Sequence, residues 1–296
     1  MDGRRPPAFG DRSAIFGGLN LTFTSILVSA VLAGVVATAV TVAIEKWGGL
    51  VGGLLGTVPS TIVPAGIGMY LSGGEAALIA SMAVVPLGML LNALFLGAWL
   101  VLPRWCSSTS RPLLFTALGA LGLWSGLGVV MLLVVDHALG IGIGEQGLAL
   151  LGFAFLFVIA VVFNRRPTPA PKGTNAVSTT VLIARGGMAA FAIGVAVWLA
   201  GLGYPLLAGL ASVFPAIFLT SMVALWLAQG PTVPQGAAGP MMLGGASVAV
   251  YANLAIWSLP AYGVFIGSVI AWFGSVLGWS LPAFLVLRRY HASFNG

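Results

Sequence analysis

The sequence predicts an all-α, polytopic transmembrane helical bundle of about nine spans, arranged as an inverted-topology repeat. Its 12 Lys and Arg and 6 Asp and Glu amount to 6% of 296 residues, whereas a soluble domain carries roughly 25% charged residues. Apolar residues make up 59% of the chain, and 42 glycines add to them. A soluble protein of this size cannot cover its surface with so few charges, so the bilayer is its expected partner.

The composition and the pattern also exclude other classes. Disorder requires low hydrophobicity and high charge. A nucleic-acid partner is not expected despite a pI near 10.1, because the basic residues are dispersed in runs of two at most. The apolar runs are too long for barrel strands of about 10 residues. Cys106 has no partner for an intramolecular disulfide. The N-terminus shows no signal-peptide cleavage site, and the first helix is expected to be a retained anchor.

Each predicted span is a stretch of about 20 apolar residues, the length that crosses the hydrocarbon core. Nine such stretches occur, at 21–44, 48–71, 76–102, 112–135, 146–164, 177–200, 204–228, 240–259 and 261–287. Short connections marked by charge, Pro or Gly separate them. The connection at 164–175 is the one that resembles a linker, because its prolines favour extended backbone and its basic residues require water.

The distribution of basic residues predicts the orientation. The odd-numbered connections and the C-terminus hold Lys46, Arg104, Arg111, Arg165, Arg166, Lys172, Arg288 and Arg289. The opposite side holds Arg4, Arg5 and Arg12, all before the first span. The positive-inside rule therefore places the C-terminus on the cytoplasmic side of a plasma (inner) membrane. The three N-terminal arginines argue for the opposite orientation.

Two sequence blocks recur in the two halves of the chain. In the first block, Gly53 aligns with Gly209 and Pro59 with Pro215, at an offset of 156 residues that we call the repeat offset. The second block, at an offset of 148, pairs Pro112 with Pro260, Gly119 with Gly267, Trp124 with Trp272 and Gly126 with Gly274. Paired Pro and Trp residues at fixed spacing indicate an internal repeat.

The repeat divides the chain into three parts. Residues 1–135 form a first four-helix unit with an N-terminal tail, and residues 177–296 form a second. Residues 136–176 contain the unpaired fifth span and the basic, Pro-rich linker. An odd number of spans between equivalent units forces them into opposite orientations. This 4+1+4 arrangement is typical of alternating-access transporters, whose sites lie near the membrane midplane at the repeat interface.

A short pattern in both halves carries a family resemblance. A pair of small residues is followed by five further residues, and then by Pro and a hydroxyl-bearing or small residue. The next helix of the pattern is represented by Gly244, Gly245, Ala246 and Ser247, with Tyr251 behind them. Each half, at 21–135 and 177–288, resembles the small four-helix bacterial membrane proteins of the GlpM type. The resemblance implies a tandem fusion of two such units, and it implies no catalytic residues.

The sequence contains no hydrolase, nucleotide-binding or metal-site motif. All six acidic residues fall in the termini or at predicted helix ends. A proton-coupled carrier or divalent-metal transporter usually needs a carboxylate or His inside the bundle. We therefore expect no enzyme activity, no metal and no cofactor.

Arg185 is the one charge within a predicted span. One interpretation is a counter-charge for an anionic substrate, because an isolated buried Arg costs about 2.5–3.5 kcal/mol on insertion scales. The other is that the sixth span begins later and Arg185 snorkels to the interface beside the linker.

Pro59 and Pro215 are the expected centres of a binding site. Proline removes a backbone donor and frees the carbonyl four residues before it, which a hydroxyl, water or ligand must then satisfy. Ser60 and Thr61 follow the first proline directly. The alternative is a packing kink whose hydroxyls bond back to their own helix.

Asn92 and Asn253 are lone amides in predicted spans, and they are the remaining candidate substrate ligands. The alternative role for both is interhelical hydrogen bonding. The leading function is thus a secondary transporter or facilitator of a small polar solute, neutral or weakly anionic. A non-transporting scaffold or accessory subunit and a channel are the alternatives, and a homo-oligomer is left open.

Overall fold

All regular secondary structure in the described residues is helical, as the sequence predicts. The structure is a computed structural model that describes residues 12–47, 58–164 and 178–294. Its α-helices are, in order, α1 (Arg12–Trp47), α2 (Ile62–Cys106), α3 (Pro112–Gly140), α4 (Glu145–Asn164), α5 (Thr179–Gly201), α6 (Pro205–Ser212), α7 (Ala216–Gln229), α8 (Thr232–Tyr262), α9 (Val264–Ser275) and α10 (Leu281–Phe294), with a π-helical turn at Val276–Ser280 between the last two. Eight segments in the described ranges are long and apolar enough to cross a membrane.

Eight spans rather than nine are found because the second and third predicted spans are not separated by a loop. The connection expected at 72–75 is a single-residue kink at Gly74 inside α2, with φ 79° and ψ −174°. Only glycine adopts this backbone conformation without strain, so the chain changes direction there in one residue. The beginning of the predicted second span, 48–57, lies outside the described residues. We call the part of α2 before the kink, residues 62–73, the first half-helix.

A second interruption divides the seventh predicted span. The short helix α6 stops at Ser212 and α7 resumes at Ala216, so that Pro215 lies in the gap. We call α7 the second half-helix. It ends at Gly230, which has φ 86° and ψ 176°. Both half-helices therefore begin just after a proline in non-helical backbone and end at a glycine of positive φ.

The helix α2 lies at the centre of the bundle. In the most apolar stretch of α2, 72% of the residues are buried, whereas in the most apolar stretch of α3 only 22% are. It packs against α8, α4, α3, α6, α5 and α1. The outer helices instead present large apolar side chains outward, such as Val129 and Leu133 on α3 and Phe265 on α9. This pattern is expected of a bundle that exposes its outer faces to lipid.

The helices α1 and α5 form a closely packed antiparallel pair. Gly34 of α1 meets the Gly186 carbonyl and the Ala190 methyl of α5. Further towards the C-terminus of α5, Gly194 packs against Ala30, which precedes Gly34 in the chain. Small residues at these positions let the two backbones approach, as is common between transmembrane helices.

The short helix α6 is docked directly onto the backbone of α2. A β-carbon at Gly209 would collide with the Ser81 carbonyl oxygen and would lie 3.0 Å from the Val84 β-carbon. The Ser81 hydroxyl donates a hydrogen bond to the Pro205 carbonyl at 2.9 Å. Because the obstacle at Gly209 is backbone, it cannot rotate away as a side chain would.

We expect Gly209→Ala to destabilise the protein by about 1–3 kcal/mol, the usual cost of overpacking a close contact. Gly122→Ala is the matched control, since a β-carbon at Gly122 of α3 meets no atom within 4 Å in the described structure. Thermal unfolding in detergent would compare the two. Equal melting temperatures for both variants would contradict the close docking of α6.

Candidate functional site

The break at Pro215 is closed by local hydrogen bonds. The carbonyl that proline was expected to free, that of Ala211, accepts the Phe214 amide at 3.1 Å. The Ser212 hydroxyl donates back to the Gly209 carbonyl at 2.7 Å. At this break the bonding therefore agrees with the alternative of a kink satisfied within its own segment.

A further carbonyl of the break, at Val213, is bound by Asn92. The Asn92 amide donates to the Val213 oxygen at 2.9 Å, and it approaches the Met89 sulfur at 3.4 Å. Its side-chain oxygen accepts the Trp124 indole N–H at 2.8 Å. Trp124 in turn packs its ring edge-on against Phe214, with the ring centroids 5.5 Å apart. Helices α2 and α3 together hold the break in place.

This network uses the amide of Asn92 fully. An Asn side chain offers two N–H donors and one carbonyl acceptor, and both groups have partners in the protein. Its side chain is only 2% exposed. The geometry thus favours interhelical hydrogen bonding, the alternative role, over direct contact with a solute in this conformation.

The Pro59 break lies at the start of the first half-helix. Pro59 is buried, whereas Ser60 and Thr61 are half-buried and precede the first residue of the helix. Thr61 is the residue before the helix, and its side chain caps no helical amide. Within the described residues neither hydroxyl forms a hydrogen bond. The carbonyl of Leu55, expected to be freed by Pro59, lies outside them.

Arg185 lies inside the bundle, two turns after the start of α5. Its side chain is 9% exposed. The guanidinium donates to the hydroxyls of Thr41 on α1 and Ser221 on α7, both at 2.8 Å, and to that of Thr220 at 3.4 Å. Because α5 begins at Thr179, Arg185 lies within the helix. The snorkelling interpretation instead required the helix to start near Arg185. It joins α1 to the second half-helix.

Asn253 lies at a different interface. Its amide donates to the Ala249 carbonyl on α8 at 2.9 Å and to the Ala149 carbonyl on α4 at 3.3 Å. Its side-chain oxygen accepts from Gln146 at 3.2 Å. Asn253 therefore joins α8 to α4, the helix of the unpaired fifth span, and it does not share a site with Asn92.

The sequence-predicted residues thus gather at three places. Pro215, Asn92 and Arg185 all act on α6 and α7. Pro59, Ser60 and Thr61 are grouped at the other break, and Asn253 is separate from both. Thr41 was not anticipated, since a lone Thr in an apolar helix carries no signal that it meets Arg185. No group of three His, Cys, Asp or Glu residues that could hold a metal occurs in the described ranges.

We expect Asn92→Leu to lower the free energy of unfolding by about 1–3 kcal/mol, because it leaves the Val213 carbonyl and the Trp124 N–H buried without a partner. Ser60→Ala is the control and should change it by less than about 0.5 kcal/mol. Equilibrium unfolding in mixed micelles would measure both. A double-mutant cycle with Trp124→Phe should give a coupling energy clearly different from zero. Additive effects would contradict the network.

Comparison of the chain with family models, with curated proteins and with solved structures found no match. The resemblance to the GlpM-type proteins accordingly stays an expectation from the sequence. Function has to be inferred from the breaks, the buried polar groups and the packing of this chain itself.

Proposed function

We propose that the protein is a secondary transporter or facilitator of a small polar solute, neutral or weakly anionic, that works by alternating access. The observation that carries the proposal is the pair of half-helices, each of which begins just after a proline inside the apolar part of the chain. Broken helices occur at membrane depth where protein or a water-filled cavity satisfies their backbone groups. In inverted-repeat transporters such helices form the solute site.

The ends of the half-helices support an inverted repeat. The repeat offset relates Pro59 to Pro215, and it also relates Gly74 to Gly230. The φ and ψ angles of Gly74 (79° and −174°) are close to those of Gly230 (86° and 176°). The same offset therefore relates the beginning and the end of both segments.

The packing of α1 against α5 has the symmetry that such a repeat requires. If a two-fold axis relates residues that are separated by the repeat offset, the contact of Ala30 with Gly194 implies a contact of Thr38 with Gly186. Both contacts are present. In an antiparallel pair this agreement favours an axis that lies between the two helices.

Three further contacts support the same axis. Met89 of α2 meets Gly245 of α8, and the repeat offset separates these residues, so this contact maps onto itself. Gly119 of α3 packs against Leu102 of α2, and Gly267 of α9 packs against Ser258 of α8. The repeat offset relates Leu102 to Ser258, and the second block's offset of 148 relates Gly119 to Gly267. We infer a 4+1+4 architecture, in which the first half-helix belongs to the second of the nine spans that the sequence predicts.

The two halves are packed differently, as alternating access requires of any single state. A β-carbon at Gly68 of the first half-helix would collide with Ser29 of α1 and would lie 2.5 Å from Val197 of α5. A β-carbon at Gly73 would lie 2.8 Å from the Ala200 carbonyl. The first half-helix is thus sealed onto the α1–α5 pair. The second half-helix meets α1 through the long side chain of Arg185.

This difference supports a mechanism in which the half-helices move in turn. We name the side where α4 ends and α5 begins the linker side, and the side where α5 ends the far side. The seal at Gly73 and Ala200 is on the far side, so the conformation described is closed there. Opening would separate the first half-helix from the α1–α5 pair while the second half-helix closes.

A scaffold or accessory subunit is the second candidate function. The observation that favours it is that Asn92 and Asn253 both have hydrogen-bond partners within the protein. A scaffold needs satisfied, tightly packed interfaces and no moving half-helix. The accessibility of the half-helices to reagents in water separates it from a transporter.

We expect cysteines at Thr61 and Ile217, which the repeat offset relates, to react with a membrane-impermeant maleimide in vesicles of both orientations. The background is Cys106→Ser. In alternating access each position reaches water on one side at a time, and a Cys at the outward-facing Val130 should not react because lipid covers it. Absence of reaction at both positions would favour the scaffold. If the cysteine of every molecule can be reached by the maleimide from both sides of the membrane at the same time, the result would favour a channel.

We expect Pro59→Ala and Pro215→Ala to slow this change of accessibility more than they lower the amount of folded protein. Each restores a backbone N–H, so that helix is no longer disfavoured at the proline position. Pro103→Ala, at a proline near the end of α2 and away from both breaks, is the control. Labelling rates normalised to folded protein in the same vesicles would show the effect. Equal losses of labelling and folding would count against the site.

A further inference from the structure

Two fully buried aromatic hydrogen-bond donors have no partner in the described part of the chain. They are the Tyr251 hydroxyl and the Trp99 indole N–H, and both side chains are 0% exposed. Tyr and Trp usually find a hydrogen-bond partner when they are buried. A buried orphan in a folded protein therefore calls for an explanation, such as a role in function or a group that binds there.

Tyr251 reaches from α8 to the first half-helix. A β-carbon at Gly66 would lie 3.7 Å from the Tyr251 hydroxyl oxygen and 3.1 Å from the terminal methyl of Met82. Ser268 of α9 is beside the phenol and is, among the described residues, its one polar neighbour of hydrogen-bonding type; its hydroxyl donates to the Val264 carbonyl at 2.6 Å, and its oxygen still has acceptor capacity. In the described structure the phenol and Ser268 do not meet in the distance and angles of a regular hydrogen bond. The phenol thus points at the segment that follows the Pro59 break.

Packing alone does not require this hydroxyl. The repeat offset relates Tyr251 to Phe95, which is also 0% exposed. The equivalent of Gly66 is Met222, again 0% exposed. Of these two equivalent pairs of positions, one therefore has Phe and Met, and the other has a Tyr hydroxyl against a glycine. A polar atom that costs stability and is dispensable for packing points to a ligand.

Trp99 stands in a comparable relation to the second half-helix. It lies on α2 and packs its ring edge-on against Trp226 of α7, with the centroids 6.1 Å apart. Each of the two half-helices is therefore faced by one orphan aromatic donor. The donors come from α2 and α8, which meet each other at Met89 and Gly245.

We propose that Tyr251 and Trp99 are hydrogen-bonding contacts for the transported solute, one on each side of the crossing of α2 and α8. The proposal rests on the proposed function, because both donors are sealed in this conformation and a solute reaches each when its half-helix moves. A Trp N–H only donates, so the solute must offer an acceptor. Gly66, Met82 and Ser268 around the phenol carry no charge, which fits an uncharged solute with an oxygen acceptor.

The test is uptake into proteoliposomes of four uncharged probes, urea, acetamide, glycerol and erythritol, with acetate as the charged comparison. We expect faster entry of at least one uncharged probe than into protein-free liposomes. Tyr251→Phe should reduce that rate about five- to tenfold, the effect of losing one hydrogen bond, while its melting temperature stays the same or rises. Tyr262→Phe is the matched control, since this exposed tyrosine lies on the same helix.

Trp99→Phe should slow the same probe, whereas Trp257→Phe, at an exposed position of α8, should not. Wild-type uptake by Tyr251→Phe at an unchanged or higher melting temperature would overturn the proposal. So would entry of acetate alone, or of no probe. The maleimide labelling at Thr61 and Ile217 tells these failures apart: if it still shows alternating access, only the solute contacts are wrong, and if it does not, the transporter itself is.

Discussion

The hydrogen bond from Asn92 to the Val213 carbonyl lets a transmembrane helix stop and restart inside the bundle. A backbone oxygen without a partner in hydrocarbon costs several kcal/mol, so a break at Pro215 cannot stand alone. Asn92 supplies the missing donor from α2, and Trp124 fixes the Asn in turn. The central helix α2 is therefore a structural partner of the second half-helix as well as the core of the fold.

Arg185 is a second interaction that holds the second half-helix, and it connects this half-helix to α1. Its guanidinium reaches hydroxyls on α1 and α7, whereas the first half-helix meets α1 by direct contact at Gly68 and Ser29. A long side chain with several donors can keep a contact over a range of helix separations. Glycine packing cannot, because it is lost once the backbones separate. The second half-helix is thus joined to α1 by a long side chain, whereas the first half-helix is joined to it by close glycine packing.

The sequence predicted the helical class and most span boundaries, because both follow from the length of apolar runs. It also located the break at Pro215, since proline has the same backbone effect in any context. It did not predict that Gly74 replaces a loop, because a glycine of positive φ and a flexible glycine look alike in sequence. Nor could it assign partners to Asn92, Asn253 and Arg185. Most of those bonds join residues that are distant in the chain, and one sequence carries no information on such pairs.

The glycine at the end of the first half-helix has a mechanical consequence. At 1.5 Å per residue the segment from 62 to 73 is about 18 Å long. A lever of that length, rotated by about 10° at Gly74, would displace the Pro59 end by about 3 Å, close to the width of a water molecule. Glycine tolerates such a change in φ and ψ better than any other residue. If the half-helix moves as proposed, a small change of torsion at this single residue would be enough to open or close the interior to water.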